Sequence, residues 1–318
     1  MKRNTPEYTQ IPAFPKILDD LSVGNNVFLV GSAGTGKTTL AEKVAYAFFD
    51  RDPNDGKDAP FLTINCNQWT SPIDLKGGQT MEGYKEGALI EAWRDGKILI
   101  LDELPKLDPN TAGILNDALA KSKKDKALIF NGRNDAIEKH PQFGCIASGN
   151  TFGKGHSNKY IGNNQQDASL LDRFSSCVYY IGFNKQLEKQ LIYPHLLALC
   201  WNIRDAILSY EGKDAEDSDT DDLMTLRTML NLQSAYLLEM VRETGVEHEK
   251  KRPTIEDFPN GKTLKDGLES FFLVMNKDKA RQIKTELDIE AFYNSYTGVN
   301  HKLNFVEEYV KRNGAVSG

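Results

Sequence analysis

The sequence predicts an α/β fold, a parallel sheet between layers of helices, followed by a second unit built of helices alone. Three observations carry that reading. Short β-rich apolar runs, Asn26 to Val30, Phe61 to Asn65, Ile98 to Leu101, Cys145 to Ser148 and Val178 to Phe183, alternate with stretches of helical periodicity. A glycine-rich turn joins the first run to a helix, and from about Asn184 the strand pattern gives way to helical spacing.

The first element is the stretch VFLVGSAGTGKTTLAEKVA, Val27 to Ala45, which fits G-x-x-x-x-G-K-[ST] at Gly31, Gly36, Lys37 and Thr38. An apolar strand precedes the turn and an amphipathic helix, Thr38 to Phe49, follows it. Gly31, Ser32, Ala33, Gly34, Thr35, Gly36, Lys37, Thr38 and Thr39 are the candidate cradle. Glycines let backbone N–H groups turn inward around phosphate oxygens, and the following helix aims its positive end at them. Lys37 then reaches the outer phosphates, and the Thr38 hydroxyl is placed to ligate Mg²⁺, so the turn suits ATP or another nucleoside triphosphate.

The third apolar run, in KILILDEL from Lys97 to Leu104, ends in two adjacent carboxylates. Alternation along a strand points neighbours in different directions, which lets Asp102 serve Mg²⁺ while Glu103 handles the attacking water. A pair of acids, rather than a lone Asp, favours turnover over simple binding.

With these motifs the sequence resembles the AAA+ ATPases, and three later segments extend the resemblance in order. FGCIASGNT, Phe143 to Thr151, resembles the sensor-1 strand and implies that Asn150 sits beside the γ-phosphate. SLLDRF, Ser169 to Phe174, is similar to the arginine-finger motif of the MoxR-like and chelatase-like branches and implicates Arg173. TLRTMLNL, Thr225 to Leu232, is similar to their sensor-2 helix and implicates Arg227, acting within its own subunit or across an interface. Two insertions match the helix-2-insert clade: an excursion at about 72–87, which faces the central pore in that clade, and a β-hairpin at about 127–141, placed around the turn dipeptide Asn131-Gly132. Within the clade the sequence is nearest the CobS-type ATPase subunit of cobaltochelatase, through Ile73 to Leu75, the run NTFGKGHSNKYIGNNQQ and the DRF arginine. The stretch ahead of the turn is shorter than in that subunit, so cobalt insertion is not assigned.

The resemblance implies a P-loop AAA+ three-layer sandwich over 1–183, a helical lid over 184–250 and a C-terminal helical extension over 251–318. It also implies a ring, a homo-oligomer and by default a hexamer, because Arg173 lies remote from its own subunit's nucleotide in the AAA+ arrangement. Asn65, closing the second strand, is read either as a polar strand end or as a group holding Glu103 back from water. Trp201 and Leu230 are expected in the lid core.

Composition bounds the rest. With 318 residues, 40% of them hydrophobic, the chain can bury an ordinary core in two or three compact units. No apolar run reaches the roughly 20 residues that cross a bilayer, and a cytoplasmic address follows by default. Cys66, Cys145, Cys177 and Cys200 show no paired spacing and are expected as buried apolar residues. The five histidines, His140, His156, His195, His248 and His301, form no ligand cluster and are expected to be structural or exposed. The acidic run Gly212 to Asp222 is expected as a loop, and Pro259-Asn260-Gly261 as a turn in the tail.

Three functions stay open at this level. One is a ring ATPase that remodels or activates a partner protein, in the MoxR-like and chelatase families a companion with a von Willebrand A domain. Another is a nucleic-acid motor, which the net charge of −6 and the few candidate lysines, Lys76, Lys85 and Lys154, do not favour. The third is a nucleotide-gated scaffold.

Overall fold

The computed structural model describes residues 11–124, 126–153, 162–192, 194–212, 223–244 and 264–289, without the side chains of 194–195 and 236–244. The chain divides into two compact units, 1–182 and 183–318. Outside the described residues lie most of the acidic run (213–222), the turn Pro259-Asn260-Gly261, and Lys154, His156, His248 and His301.

The first unit is built on five parallel strands: β1 (Val27–Val30), β2 (Phe61–Asn65), β5 (Ile98–Asp102), β8 (Gly144–Gly149) and β9 (Val178–Tyr180). Their order across the sheet is β2-β5-β8-β1-β9, with every neighbouring pair parallel. The β-rich apolar runs read from sequence are these strands, and the three central ones, β5, β8 and β1, are apolar at successive positions because the sheet is covered there on both faces. Phe28, Leu99, Leu101, Cys145 and Ala147 point into one face, where they join the core of α4 (Ala88–Asp95), α5 (Pro109–Ala120) and α6 (Ala168–Asp172). Val27, Leu29, Ile98, Ile100 and Ile146 alternate with them and are equally buried. On the sheet's helical flank, α1 (Ala13–Ser22) contacts β1, and α2 (Lys37–Phe48) contacts β5 and β8. The result is the expected α/β P-loop fold, in three layers. Trp93, on α4, is fully buried and donates from Nε1 to the Ile137 carbonyl at 3.2 Å.

The two insertions form small antiparallel ribbons. The first starts with α3 (Pro72–Lys76), whose entry is fixed by Asp74 accepting from the Ser71 N–H at 2.8 Å, and continues into β3 (Gly78–Thr80) and β4 (Gly83–Lys85). The second pairs β6 (Leu128–Phe130) with β7 (Ala136–Glu138). Its tip differs from the expected Asn131-Gly132 two-residue turn. The connection runs over five residues, Asn131 Oδ1 accepts from the N–H groups of Arg133 (2.9 Å) and Asp135 (2.8 Å), and Asn134 takes the left-handed conformation at φ 67°. Gly132 lies in the turn that the Asn134 N–H closes on the Asn131 carbonyl at 3.1 Å and also serves closeness: its own N–H donates to the Lys76 carbonyl at 2.9 Å, and a Cβ there would lie 2.0 Å from the Gly77 oxygen. Arg133 stacks 4.0 Å over the Tyr84 ring, so the tip of the second ribbon touches the first.

The second unit contains α7 (Lys185–Leu191), α8 (Pro194–Glu211), α9 (Leu226–Thr244), α10 (Leu264–Leu273) and α11 (Lys277–Glu286). Helices α10 and α11, from the expected C-terminal extension, pack on α9 and α8 within this one unit. Trp201 is buried as expected, whereas Leu230 is 39% exposed. On α9 the buried stripe runs through Leu226, Met229, Leu232 and Gln233, and Leu230 falls one residue past Met229, about 100° around the helix and off that stripe.

The core of this unit holds a charge pair. Glu188 and Arg204 have side chains 2% and 3% exposed and meet through two contacts, Nη2 to Oε1 at 2.7 Å and Nη1 to Oε2 at 3.0 Å. Trp201 Nε1 donates to the same carboxylate at 2.7 Å, and Arg204 also donates to the Met224 carbonyl from Nε and Nη2. Each side-chain nitrogen and oxygen of the pair has a hydrogen-bond partner, which is the condition under which burial of such a pair is tolerable. Arg204→Met strands the Glu188 charge and is expected to cost the second unit about 3–5 kcal/mol, with Glu188→Leu/Arg204→Met recovering most of the loss. Hydrogen exchange of the α8 amides measures both.

Candidate active site

The site is assembled at the carboxyl ends of β1, β5 and β8. After Val30 the chain must leave the sheet beside β9, and it does so at Gly31, where a Cβ would lie 2.1 Å from the Ile181 oxygen. Gly34 and Gly36 then take left-handed backbone at φ 78° and 85°, a region that L side chains rarely adopt. Thr35 closes the loop by donating from Oγ1 to the Ser32 carbonyl at 3.0 Å. Gly36 is the N-cap of α2 and contributes no side-chain cap, so the first-turn N–H groups of a 12-residue helix face the loop. Lys37, the first helical residue, is 6% exposed and folds back to donate to the carbonyls of Gly31 (2.8 Å) and Ser32 (2.9 Å). Ala33 and Thr39 lie exposed on the loop and the first turn.

Thr38 sits beside the first acid. Its Oγ1 donates to Asp102 Oδ2 at 2.9 Å, and Ser148 Oγ, from β8, donates to Asp102 Oδ1. Glu103 departs from simple strand alternation: it stands just past β5 in left-handed backbone, φ 57° and ψ 38°, and this bend turns its carboxylate away from that of Asp102. A non-glycine residue there costs on the order of 1–2 kcal/mol. The surroundings hold it, with the Glu103 N–H donating to Ser148 Oγ at 3.4 Å and the carboxylate gripped from two sides. Asn150 Nδ2 donates to Oε1 (3.3 Å) and Oε2 (3.2 Å), and Lys106 Nζ lies 3.4 Å from Oε2. Asn150 Oδ1 in turn accepts from Lys37 Nζ at 3.1 Å.

Five of the sequence-derived residues therefore converge: Lys37, Thr38, Asp102, Glu103 and Asn150. Asn65 does not join them. It ends β2 in register with Asp102, exposed, and among the described residues the partners of the Glu103 carboxylate are Asn150 and Lys106. Arg173 lies elsewhere. It caps α6, its Nε donates to Asn116 Oδ1 at 2.9 Å, and its carbonyl accepts from Asn26 Nδ2 at 3.3 Å. Asn26 precedes β1 and the phosphate loop follows it, so the length of β1, roughly 13 Å, separates that anchor from the cradle. Arg227 is exposed in the first turn of α9 in the second unit.

Sequence reasoning missed Ser148, Lys106 and Asn116. Ser148 had a usable signal, since it stands two residues before Asn150 at the end of the same strand run. Burial pushes the Cys66 thiol up to about 12, with help from Asp102 and Glu103, and all four cysteines are buried and free, as expected of apolar filler. His140 is structural, its ring packed over Gly96 and its Nδ1 accepting from the Gln142 N–H at 3.2 Å.

The Thr38 hydroxyl and Asp102 carboxylate are hard oxygen donors set side by side, which fits Mg²⁺ held by one carboxylate and completed by phosphate and water. Among the described residues no group of three or more His, Cys, Asp or Glu side chains could hold a metal by itself. No described helix is long and apolar enough to cross a membrane.

Residues 26–174 match the family model of the AAA domain, dynein-related subfamily. An uncharacterized protein of Staphylococcus epidermidis is 24% identical over 72% of this chain and 88% of its own length. The YojN protein of Bacillus subtilis, also uncharacterized, is 30% identical over 48% of this chain and 47% of its own. The crystal structure of NtrX from Brucella abortus in complex with ATP aligns with 99% of this chain and 69% of its own at 18% identity and a TM-score of 0.44.

The cradle depends on backbone closeness at Gly31. Gly31→Ala forces its Cβ against the Ile181 carbonyl and is expected to destabilise the first unit by about 1–3 kcal/mol, read as a lower urea midpoint, whereas Ala33→Ser on the exposed loop leaves the midpoint in place.

Proposed function

We propose that this chain, which carries an AAA domain of the dynein-related kind over residues 26–174, hydrolyses ATP in a site completed by a second copy of itself and uses the cycle to remodel a partner protein. The observation that carries the reading is the convergence of Lys37, Asn150 and Glu103 in one hydrogen-bonded chain beside the Thr38–Asp102 pair.

The loop N–H groups and the start of α2 would receive the phosphates. Lys37 exchanges its two backbone carbonyls for phosphate oxygens, which are stronger partners because they are charged. Thr38 and Asp102 would hold Mg²⁺, which supplies charge neutralisation at the phosphates when bound. Glu103 accepts the proton of an attacking water as the new oxygen–phosphorus bond forms and the bond to the bridging oxygen of ADP breaks. Asn150, which already touches both Lys37 and Glu103, keeps that water and the γ-phosphate in line.

Arg173 supports the shared site. Its backbone is anchored at the end of the sheet opposite the cradle and its half-buried side chain is tied through Nε to Asn116, so the group is held away from its own loop, which favours a role toward a neighbouring molecule. A ring, with a hexamer as the family default, satisfies that requirement for every copy. Arg227 is proposed as the lid's nucleotide sensor. A protein client is supported by the apolar residues left exposed on the two ribbons, Met81, Leu128 and Phe130. The nucleic-acid reading has little beside it, since Lys76 is half-buried and Lys85 is the one exposed lysine of the three candidates among the described residues. A companion with a von Willebrand A domain, as in the MoxR-like and cobaltochelatase systems, is the client class proposed.

Glu103→Gln and Arg173→Ala are each expected to lower ATP turnover by about 10³-fold or more, since an arginine finger contributes on the order of 10³ to 10⁵. Mixing the two inactive variants should restore part of the activity, because some interfaces then combine an intact Glu103 with an intact Arg173. Phosphate release from the mixture reads this directly, and a mixture as inactive as its parts refutes the shared site.

A further inference from the structure

The contact between Lys106 and Glu103 has no place in the chemistry just described. Its geometry is built in. Leu104–Lys106 form a single 3₁₀ turn, closed by the Lys106 N–H donating to the Glu103 carbonyl at 2.9 Å. In such a turn side chains three apart eclipse one another, so the ammonium at 106 falls over the carboxylate at 103. The turn cannot drift, because its carbonyls are gripped from the segment that follows Asn150. The Asn164 N–H donates to the Pro105 carbonyl at 2.7 Å, and Asn164 Nδ2 donates to those of Lys106 (3.3 Å) and Leu107 (3.1 Å). Gln166, 5% exposed, donates from Nε2 to the carbonyls of Pro105 (3.3 Å) and Leu107 (2.9 Å). Pro105 also lies against Gly149, where a Cβ would come within 2.7 Å of its ring.

The consequence falls on Glu103. Asn150 Nδ2 is shared between its two oxygens, and Lys106 adds a positive charge 3.4 Å from Oε2, on a side of the carboxylate that Asn150 leaves open. A base must have a lone pair free to accept from the attacking water, and a cation seated there competes with the water for it. We infer that Lys106 is a latch on Glu103, a positioning residue that holds the carboxylate in standby and must let go before each turnover. This rests on the reading of Glu103 as the base for ATP hydrolysis. The latch is light, because the two side chains are 41% and 22% exposed and pairs of that kind are worth up to about 1 kcal/mol.

The test uses the full-length chain and two readouts. Lys106→Gln is expected to raise basal kcat for ATP by about two- to five-fold with KM unchanged, and Lys106→Arg to restore the low rate. Raising the salt concentration screens an exposed pair, so wild-type kcat should climb toward that of Lys106→Gln while the variant stays level. A kcat in Lys106→Gln that is unchanged or lower overturns the latch. The second readout needs no turnover: amine acylation of Lys106, followed by mass spectrometry, should be faster in Glu103→Gln than in wild type, and equal rates overturn the pairing. A wild-type protein that never hydrolyses ATP refutes the hydrolase reading instead, and the acylation comparison still decides whether the latch exists.

Discussion

One carboxylate organises the first unit's working edge. Asp102 receives a hydrogen bond from Thr38 on one oxygen and from Ser148 on the other, so it joins the helix after the phosphate loop, the end of β5 and the end of β8 at a single point. The three elements arrive there because β5, β8 and β1 are consecutive in the sheet and parallel, which brings their carboxyl ends to one edge. Thr38 and Ser148 have only hydroxyls to give, and a charged acceptor is the partner that makes those bonds strong. Once Asp102 is placed, the left-handed bend at Glu103 sends the next carboxylate toward Asn150, and Asn150 closes the circuit back to Lys37.

The sheet has a second edge, and the division of labour follows from it. Parallel strands with helical crossovers return the chain to the amino-terminal edge between strands, and Arg173 lies on such a return, fastened through its carbonyl to Asn26 and through its side chain to Asn116. Own cradle and own arginine are thereby held apart by the strand between them. Under the proposed function, a second copy would bring the two rims together. The left-handed Glu103 fits the same account, since strained backbone persists where the surroundings over-determine it.

What could be read from the sequence was local. The cradle, Lys37, Thr38 and Asp102 are close in sequence to the strands that carry them, and a strand end followed by a glycine loop or an acid pair admits few geometries. The strands were legible for the same reason, whereas Asn150 was reached through the resemblance of FGCIASGNT to a sensor-1 strand. The relation of Lys106 to Glu103 was not, because it exists only if Glu103 turns left-handed and the next residues tighten into a 3₁₀ turn, and that turn is imposed by Asn164 and Gln166 some 60 residues away. Of the two readings of Asn65, the polar strand end is the one the structure fits, since the bend carries the Glu103 carboxylate to Asn150 and Lys106. Leu230 failed as a core residue because apolar composition does not set helix phase, and Asn131-Gly132 opens the hairpin's turn as expected, though the connection runs over five residues because the glycine also answers to the Gly77 carbonyl of the other ribbon.

The claim at the centre is that Asp102 and Thr38 hold a divalent cation on a nucleotide seated in the loop. The measurement that reaches it most directly is calorimetric titration of ATP with and without Mg²⁺, on the wild-type chain and on Asp102→Asn. The account predicts that Mg²⁺ tightens binding to the wild type by about ten-fold or more, the equivalent of one hydrogen bond to a charged group or better, and that Asp102→Asn abolishes the difference while the metal-free affinity survives. Equal affinity with and without Mg²⁺ in the wild type, or a magnesium effect that persists in Asp102→Asn, contradicts it.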